Sequence, residues 1–214
     1  FALAHSNLGN TLNELGRLHE AEVSYTQAIA LKPDLAEAHY NMSNTLKELG
    51  RLNEAEASCA QAIALKPDFA EAHNNLGATL QELGRLEEAE ASYTQAIALK
   101  PDYAEAHNNL GATLQKMCRF DEAEASCMQA IALKPDFFLA HNNLGVTLQE
   151  LGRFDEALAS YNQAIELKID SSEAYSNKYL CLNYISSGCP LFIFEQYLEF
   201  EKQFGGLQTE PLLI

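Results

Sequence analysis

Bases are scarce in this chain: 14 Lys and Arg stand against 30 Asp and Glu in 214 residues, a formal net charge of −16. Nucleic-acid binding rests on a basic footprint, so no nucleic-acid partner is expected. Long apolar runs are missing too. None approaches the roughly 18–20 residues needed to span a bilayer, and no membrane association is expected. Cysteine is sparse and unpatterned: Cys59, Cys118, Cys127, Cys181 and Cys189 are odd in number and contain no C-x-x-C pair. Neither a disulfide framework nor a zinc ribbon is suggested. Also absent are a Gly-rich phosphate loop, a G-x-S-x-G elbow and any carboxylate pair distinguishable from regularly recurring acids. What is present is ordinary globular composition, 47% hydrophobic and 21% charged, arranged with unusual regularity.

The regularity is a period of 34 residues. Ala70 to Tyr103 reads AEAHNNLGATLQELGRLEEAEASYTQAIALKPDY, and Ala104 to Phe137 matches it at 26 of 34 positions. The same register runs through 2–35, 36–69 and 138–171, which makes five complete copies. Internal periodicity of this length is the mark of stacked repeats, in which each unit buries its apolar face against the next.

Each copy reads as two helices. In the third, Asp68 after Pro67 is placed as an N-cap, with Glu71 three residues on completing a capping box. Ala72, Leu76, Thr79, Leu80 and Leu83 then form one buried stripe. Gly84 ends the helix, because glycine accepts the left-handed conformation common past a C-terminus. Leu86, Ala89, Tyr93, Ala96 and Ile97 share a face of the second helix, which Pro101 prevents from continuing. Arg17, Arg51, Arg85, Arg119 and Arg153 follow the first helices, and Lys32, Lys66, Lys100, Lys134 and Lys168 close the second. The helix macrodipole favours cations at such ends, and that role is enough to account for them at this level.

His73, Leu76, Gly77, Leu80, Ala89, Tyr93 and Pro101 fall on the signature of the tetratricopeptide repeat, and residues 2–171 resemble that family. His stands where the signature has Trp, and Leu where the first helix has Tyr. The resemblance implies an all-α, right-handed superhelical solenoid with five full repeats. A degenerate sixth repeat and a capping or linker helix are expected over 172–204, with a tail over 205–214. Phe1 occupies the last slot of a repeat, held later by Leu35, Phe69, Tyr103 and Phe137, so the natural array is expected to extend further N-terminally. A sixth first helix is expected over 172–185, a break at 186–190, and a helix over 191–204. The segment SNKYLCLNY (176–184), followed by a helix ending EKQFGG, is similar to the linker after the repeats in bacterial relatives of O-GlcNAc transferases.

A period spreads each residue type along a line, whereas catalysis needs unlike groups at one point. His5, His39, His73, His107 and His141 illustrate this. Stacked equivalents stand roughly 8–10 Å apart, too far to share an ion that needs nitrogens at about 2 Å. They are read as hydrogen-bonding or packing residues, and His19 as a solvated helix start. Cys59 and Cys127 take the slot of Tyr25, Tyr93 and Tyr161, so they are read as core. No metal, cofactor or turnover is expected of these 214 residues.

The functional signal is a row of amides. Asn7, Asn41, Asn75, Asn109, Asn143 and Asn177 hold one position in six successive first helices. Asn74, Asn108 and Asn142 precede three of them, and Gln81, Gln115 and Gln149 lie about two turns further on. An asparagine offers both a donor and an acceptor, so a row of them can pair with a peptide backbone whatever its side chains. Rungs roughly 8–10 Å apart meet an extended chain at about every third residue. Position-matched asparagines line the concave surface of the repeat arm in O-GlcNAc transferases. The resemblance therefore implies a scaffold that binds an extended polypeptide in its groove. The alternative is the substrate-recognition arm of a truncated O-GlcNAc-transferase-like enzyme. Equally, these asparagines could serve only to bond neighbouring helices. Chaperone-tail modules of the family clamp a carboxylate with Lys and Arg. Here Glu37, Glu71, Glu105, Ala78, Ala112 and the Asn74 row hold those positions, with Lys47 and Lys116 isolated. A neutral or basic partner is expected in the acidic field. End-to-end self-association and, from the unpaired cysteines, a cytoplasmic location complete the expectations.

Overall fold

A computed structural model describes residues 1–185. The expected break at 186–190, the helix over 191–204, the tail and Cys189 lie outside the described residues. Within them the expected all-α repeat solenoid is found: eleven helices and no strand among the described residues. They divide into two compact units, one over Phe1–Met117 and one from Cys118 onward.

In the first unit the first helices are α1 (Ala2–Glu14), α3 (Ala36–Glu48), α5 (Ala70–Glu82) and α7 (Ala104–Lys116). The second helices are α2 (Leu18–Leu31), α4 (Leu52–Leu65) and α6 (Leu86–Leu99). The second unit contains α8 (Phe120–Leu133), α9 (Phe138–Glu150), α10 (Phe154–Leu167) and α11 (Ser172–Ile185). The expected sixth first helix is therefore present as α11.

The pairing follows from residue size. In α6, Ala89, Tyr93 and Ala96 form the buried stripe, and both alanines are wholly inaccessible. Alanine lets two helix backbones approach closely, and the tyrosine fills the space that the small residues leave. Its ring rests on Gly77 of α5, where an added Cβ would stand 2.7 Å from a ring carbon. Within the first unit, α1 touches α3, α3 touches α5 and α5 touches α7, while the backbones of successive second helices stand further apart. The first helices of this unit are thus the crowded layer, and the second helices are splayed.

Two expectations change. Asp68 and Glu71 form no capping box: α5 begins at Ala70, its N-cap is Phe69, and no side chain caps it. Asp68 lies one residue too early, inside a turn closed by the Phe69 N–H on the Lys66 carbonyl (3.1 Å). Phe69 is buried and anchors that turn, with the Lys66 ammonium 4.5 Å from its ring centre. The arginines, too, do more than sit at helix ends. Arg85 is the N-cap residue of α6. Its guanidinium holds Glu88 of its own repeat and reaches back to Glu56 of the preceding one at 2.8 Å. Arg51 joins Glu54 to Glu22 in the same way, and Arg153 joins Glu156 to Glu124. These planar forks stitch repeat to repeat and hold Glu54, Glu88 and Glu156 below the usual carboxylate range, chiefly through the arginine hydrogen bond.

Gly16, Gly50, Gly84 and Gly152 end their first helices with φ between 71° and 76°. Cys118 occupies the same slot at φ 57°. A side chain strains that conformation. Cys118→Gly is therefore expected to stabilise the protein by about 1 kcal/mol in urea unfolding. An unchanged midpoint would show that the turn carries no strain.

Candidate functional site: an amide-lined first-helix face

The histidine row is structural. His39, His73, His107 and His141 each place Nε2 2.9–3.2 Å from the carbonyl of the proline six residues earlier. The ring ties each first helix to the turn that delivers it. No cluster of His, Cys, Asp or Glu among the described residues could hold a metal ion. Likewise, no helix among them is long and apolar enough to cross a membrane.

The amide rows divide by exposure. Asn7 is exposed, and Asn41, Asn74, Asn109, Asn143 and Asn177 are half-buried, as are Gln81, Gln115 and Gln149. Asn75, Asn108 and Asn142 are buried, at 5%, 4% and 2% exposure. Five of the six asparagines of the main row, all but Asn177, are fixed in their helices by the same local device, a threonine four residues on whose hydroxyl donates to the asparagine's backbone carbonyl. In the first unit this bond measures 2.9–3.2 Å at Thr11, Thr45, Thr79 and Thr113.

The side chains join across repeats. Asn41 Nδ2 donates to Asn10 Oδ1 (2.9 Å), which also accepts the Tyr25 hydroxyl (2.8 Å). Asn109 Nδ2 donates to Asn74 Oδ1 (3.1 Å). In the second unit Asn177 Nδ2 donates to Asn142 Oδ1 at the same distance. Gln81 turns its oxygen inward to the Thr113 hydroxyl (2.7 Å), with the Tyr93 hydroxyl at 3.4 Å, and Gln149 accepts from Tyr161 (3.2 Å). Asn109 and Asn142 spend both ends, Asn109 Oδ1 accepting from Asn108 (3.5 Å) and Asn142 Nδ2 donating to Glu173 (3.3 Å), whereas other members of the junctions spend only one. Asn41 keeps an acceptor oxygen, while Asn10, Asn74 and Gln81 keep donor NH2 groups. Residues of both polarities therefore recur along the half-buried face of the crowded first-helix layer.

Asn75 departs from this pattern. Its Nδ2 donates inward to Ser43 Oγ (2.7 Å) and Cys59 Sγ (3.4 Å), and its Oδ1 accepts from Lys47 (3.1 Å). Asn10, Asn13, Ser43 and Lys47 are partners in these networks that reading the periodic positions alone overlooks. Asn13 accepts from the Thr45 hydroxyl at 3.0 Å. The signal was their departure from the repeat consensus: Ser43 and Lys47 replace the Gly and Gln of neighbouring copies.

The first unit also carries a concavity. It is a furrow of about 460 Å³ between α4 and α6, lined by Ala60, Ile63, His73, Leu76, Ala91 and Gln95. It has few hydrogen-bonding groups and offers an extended backbone little to pair with.

A family model described as TPR repeat matches residues 9–50, 44–84 and 79–117, and one described as tetratricopeptide repeat matches 102–170. No curated protein matches the sequence. Among solved structures, a thermophilic TPR protein of Thermus thermophilus shares 27% identity at a TM-score of 0.69, covering 85% of this chain and 99% of that one. PilW, a type IV pilus biogenesis factor, superposes at a TM-score of 0.88 with 22% identity over 97% of this chain and 95% of its own. YrrB, described as a TPR protein with an unusual peptide-binding site, gives 0.66 at 24% identity over 83% and 92%. The last two likenesses concern the fold alone. With matched repeats running from residue 9 to residue 170 and the helical hairpins formed as their signature requires, the chain belongs to the tetratricopeptide repeat family.

Proposed function

We propose that this protein is a non-enzymatic interaction scaffold that holds an extended polypeptide along the amide-lined face of its first helices. The observation that carries the reading is the half-spent amide. Asn41, Asn10, Asn74 and Gln81 are held by one end each and retain a donor or acceptor. A peptide backbone needs both polarities at regular intervals, and side-chain amides supply them without selecting a residue type. That a protein of the same fold is described as peptide-binding is consistent with this use. The surplus of 16 acidic charges favours neutral or basic segments.

The similarity of residues 176–184, which lie in α11, to the linker of O-GlcNAc-transferase relatives supports a second reading. There the same face would present substrate polypeptide to a catalytic domain. Both readings require the face to bind.

The test uses peptides of about 15 residues, roughly 50 Å when extended, selected on the full chain from a random displayed library. Asn41→Ala/Asn74→Ala/Asn109→Ala is expected to weaken the selected peptide by more than about tenfold, since it removes several hydrogen bonds of about 1 kcal/mol each. Circular dichroism should show unchanged helicity. A library that yields no binder, or an unchanged affinity in the folded variant, contradicts the reading.

A further inference from the structure

The asparagines of the main row do not all face the same way, and the residues beneath them account for the difference. Asn41, Asn109 and Asn177 each follow a repeat with glycine in the first helix and tyrosine in the second: Gly9 with Tyr25, Gly77 with Tyr93, Gly145 with Tyr161. In all three pairs the ring lies against the glycine, 2.5–2.7 Å from where a Cβ would stand. The ring fills the space under the next asparagine, and the glycine offers no side-chain acceptor. The amide then turns along the face and bonds Asn10, Asn74 or Asn142 of the preceding first helix.

Asn75 follows the one repeat that carries Ser43 with Cys59. The small thiol leaves the ring's space open, and the serine hydroxyl supplies an acceptor. The amide turns inward, bonds Ser43 and Cys59, and is covered by Lys47 at its oxygen. It is the only one of these four side chains that is buried.

We infer that the glycine–tyrosine pair of the first, third and fifth repeats, like the serine–cysteine pair of the second, is a positioning device that decides whether the next asparagine serves the peptide face or is withdrawn from it. The inference rests on the reading of that face as a binding surface. It makes the first unit's rungs uneven: Asn41 and Asn109 are presented, and Asn75 between them is not. Presented rungs two repeats apart are separated by roughly 16–20 Å, about five or six residues of extended chain. A partner is accordingly gripped at its backbone at that interval, with the Lys47 ammonium facing it in the gap. Such a partner carries an acceptor or acidic side chain midway between backbone contacts, in an otherwise neutral or basic segment.

The test is Ser43→Gly/Cys59→Tyr, which installs a pair that the chain already accommodates three times. Side-chain amide exchange of Asn75, read by NMR, is expected to quicken as the group leaves its buried partners. Affinity for the library-selected peptide is expected to change by about threefold to tenfold, the effect of one added hydrogen bond. Adding Asn75→Ala should cancel that change, although Asn75→Ala alone should leave peptide affinity near the native value. The reverse pair, Gly77→Ser/Tyr93→Cys, should slow exchange at Asn109 and weaken binding. If exchange at Asn75 stays slow, or if it quickens with no change in affinity, the inference is overturned and the scaffold reading survives. If the native chain selects no peptide, the scaffold reading fails, and the inference about binding fails with it.

Discussion

Tyr93→Ala is expected to lower the unfolding free energy by about 3–5 kcal/mol, the range for emptying an aromatic from a packed interior. Tyr93 is 1% exposed and lies between Leu80, Ala89 and half-buried Leu76 and Leu110. The alanines that flank it in α6 are already inaccessible and cannot move in to fill the void. Because stability in a repeat array sums intrinsic terms and neighbour interfaces, the loss should uncouple the third repeat from its neighbours. Urea unfolding should then broaden as well as shift. The complementary fault is Gly77→Ser, which places a side chain where the ring lies and should cost about 1–3 kcal/mol through overpacking. Combined with Tyr93→Cys it should cost less than the sum, because the second repeat shows Ser43 and Cys59 accommodating each other. A coupling of about 0.5–3 kcal/mol is expected for such neighbours. Strict additivity would show that the two positions do not share a space.

Alkali should unfold the protein sharply, the second large effect. Burial pushes the Tyr25 phenol up to about 12, helped by the nearby Glu14 and Glu48 carboxylates, and raises Tyr93 and Tyr161 in the same direction. The Cys127 thiol, raised by burial, also stands at about 12. An unfolded tyrosine ionises near pH 10 and an unfolded cysteine near 8.5. A group whose native pKa is raised stabilises the fold fully below its unfolded value, and that stability drains as pH climbs to the native value. For Tyr25 the window is about pH 10 to about 12, and it reaches higher for Tyr93 and Tyr161. Tyrosinate absorbance should therefore rise in two stages, exposed residues first and the buried rings together with loss of helicity. A single ionisation near pH 10 with helicity intact would contradict the packing described for these rings.

Much of the architecture was legible because a 34-residue period forces like residues into like environments. Helix ends were marked by Gly84 and Pro101, and the buried stripe by Ala89, Tyr93 and Ala96. The sixth first helix over 172–185 was visible despite the decay of the consensus. Asp68 misled because a capping residue and a turn residue look alike in sequence; only the buried Phe69 shows which register the helix takes. The arginines were underread because their partners Glu22, Glu56 and Glu124 lie 29 residues away. A distance of that kind becomes visible only when repeats stack. The amide row was found by its spacing, but spacing is blind to rotamers. Whether Asn75 points outward depends on the size of residue 59 and the hydroxyl of residue 43, in another helix pair.

The most direct measurement is a map of side-chain amide NMR shifts as the selected peptide is added to the full chain. The account predicts that the shifts concentrate at Asn41, Asn74, Gln81 and Asn109, with Gln95 in the furrow between α4 and α6 unmoved. Shifts confined to Gln95 and its surroundings, or none at saturating peptide, would contradict it.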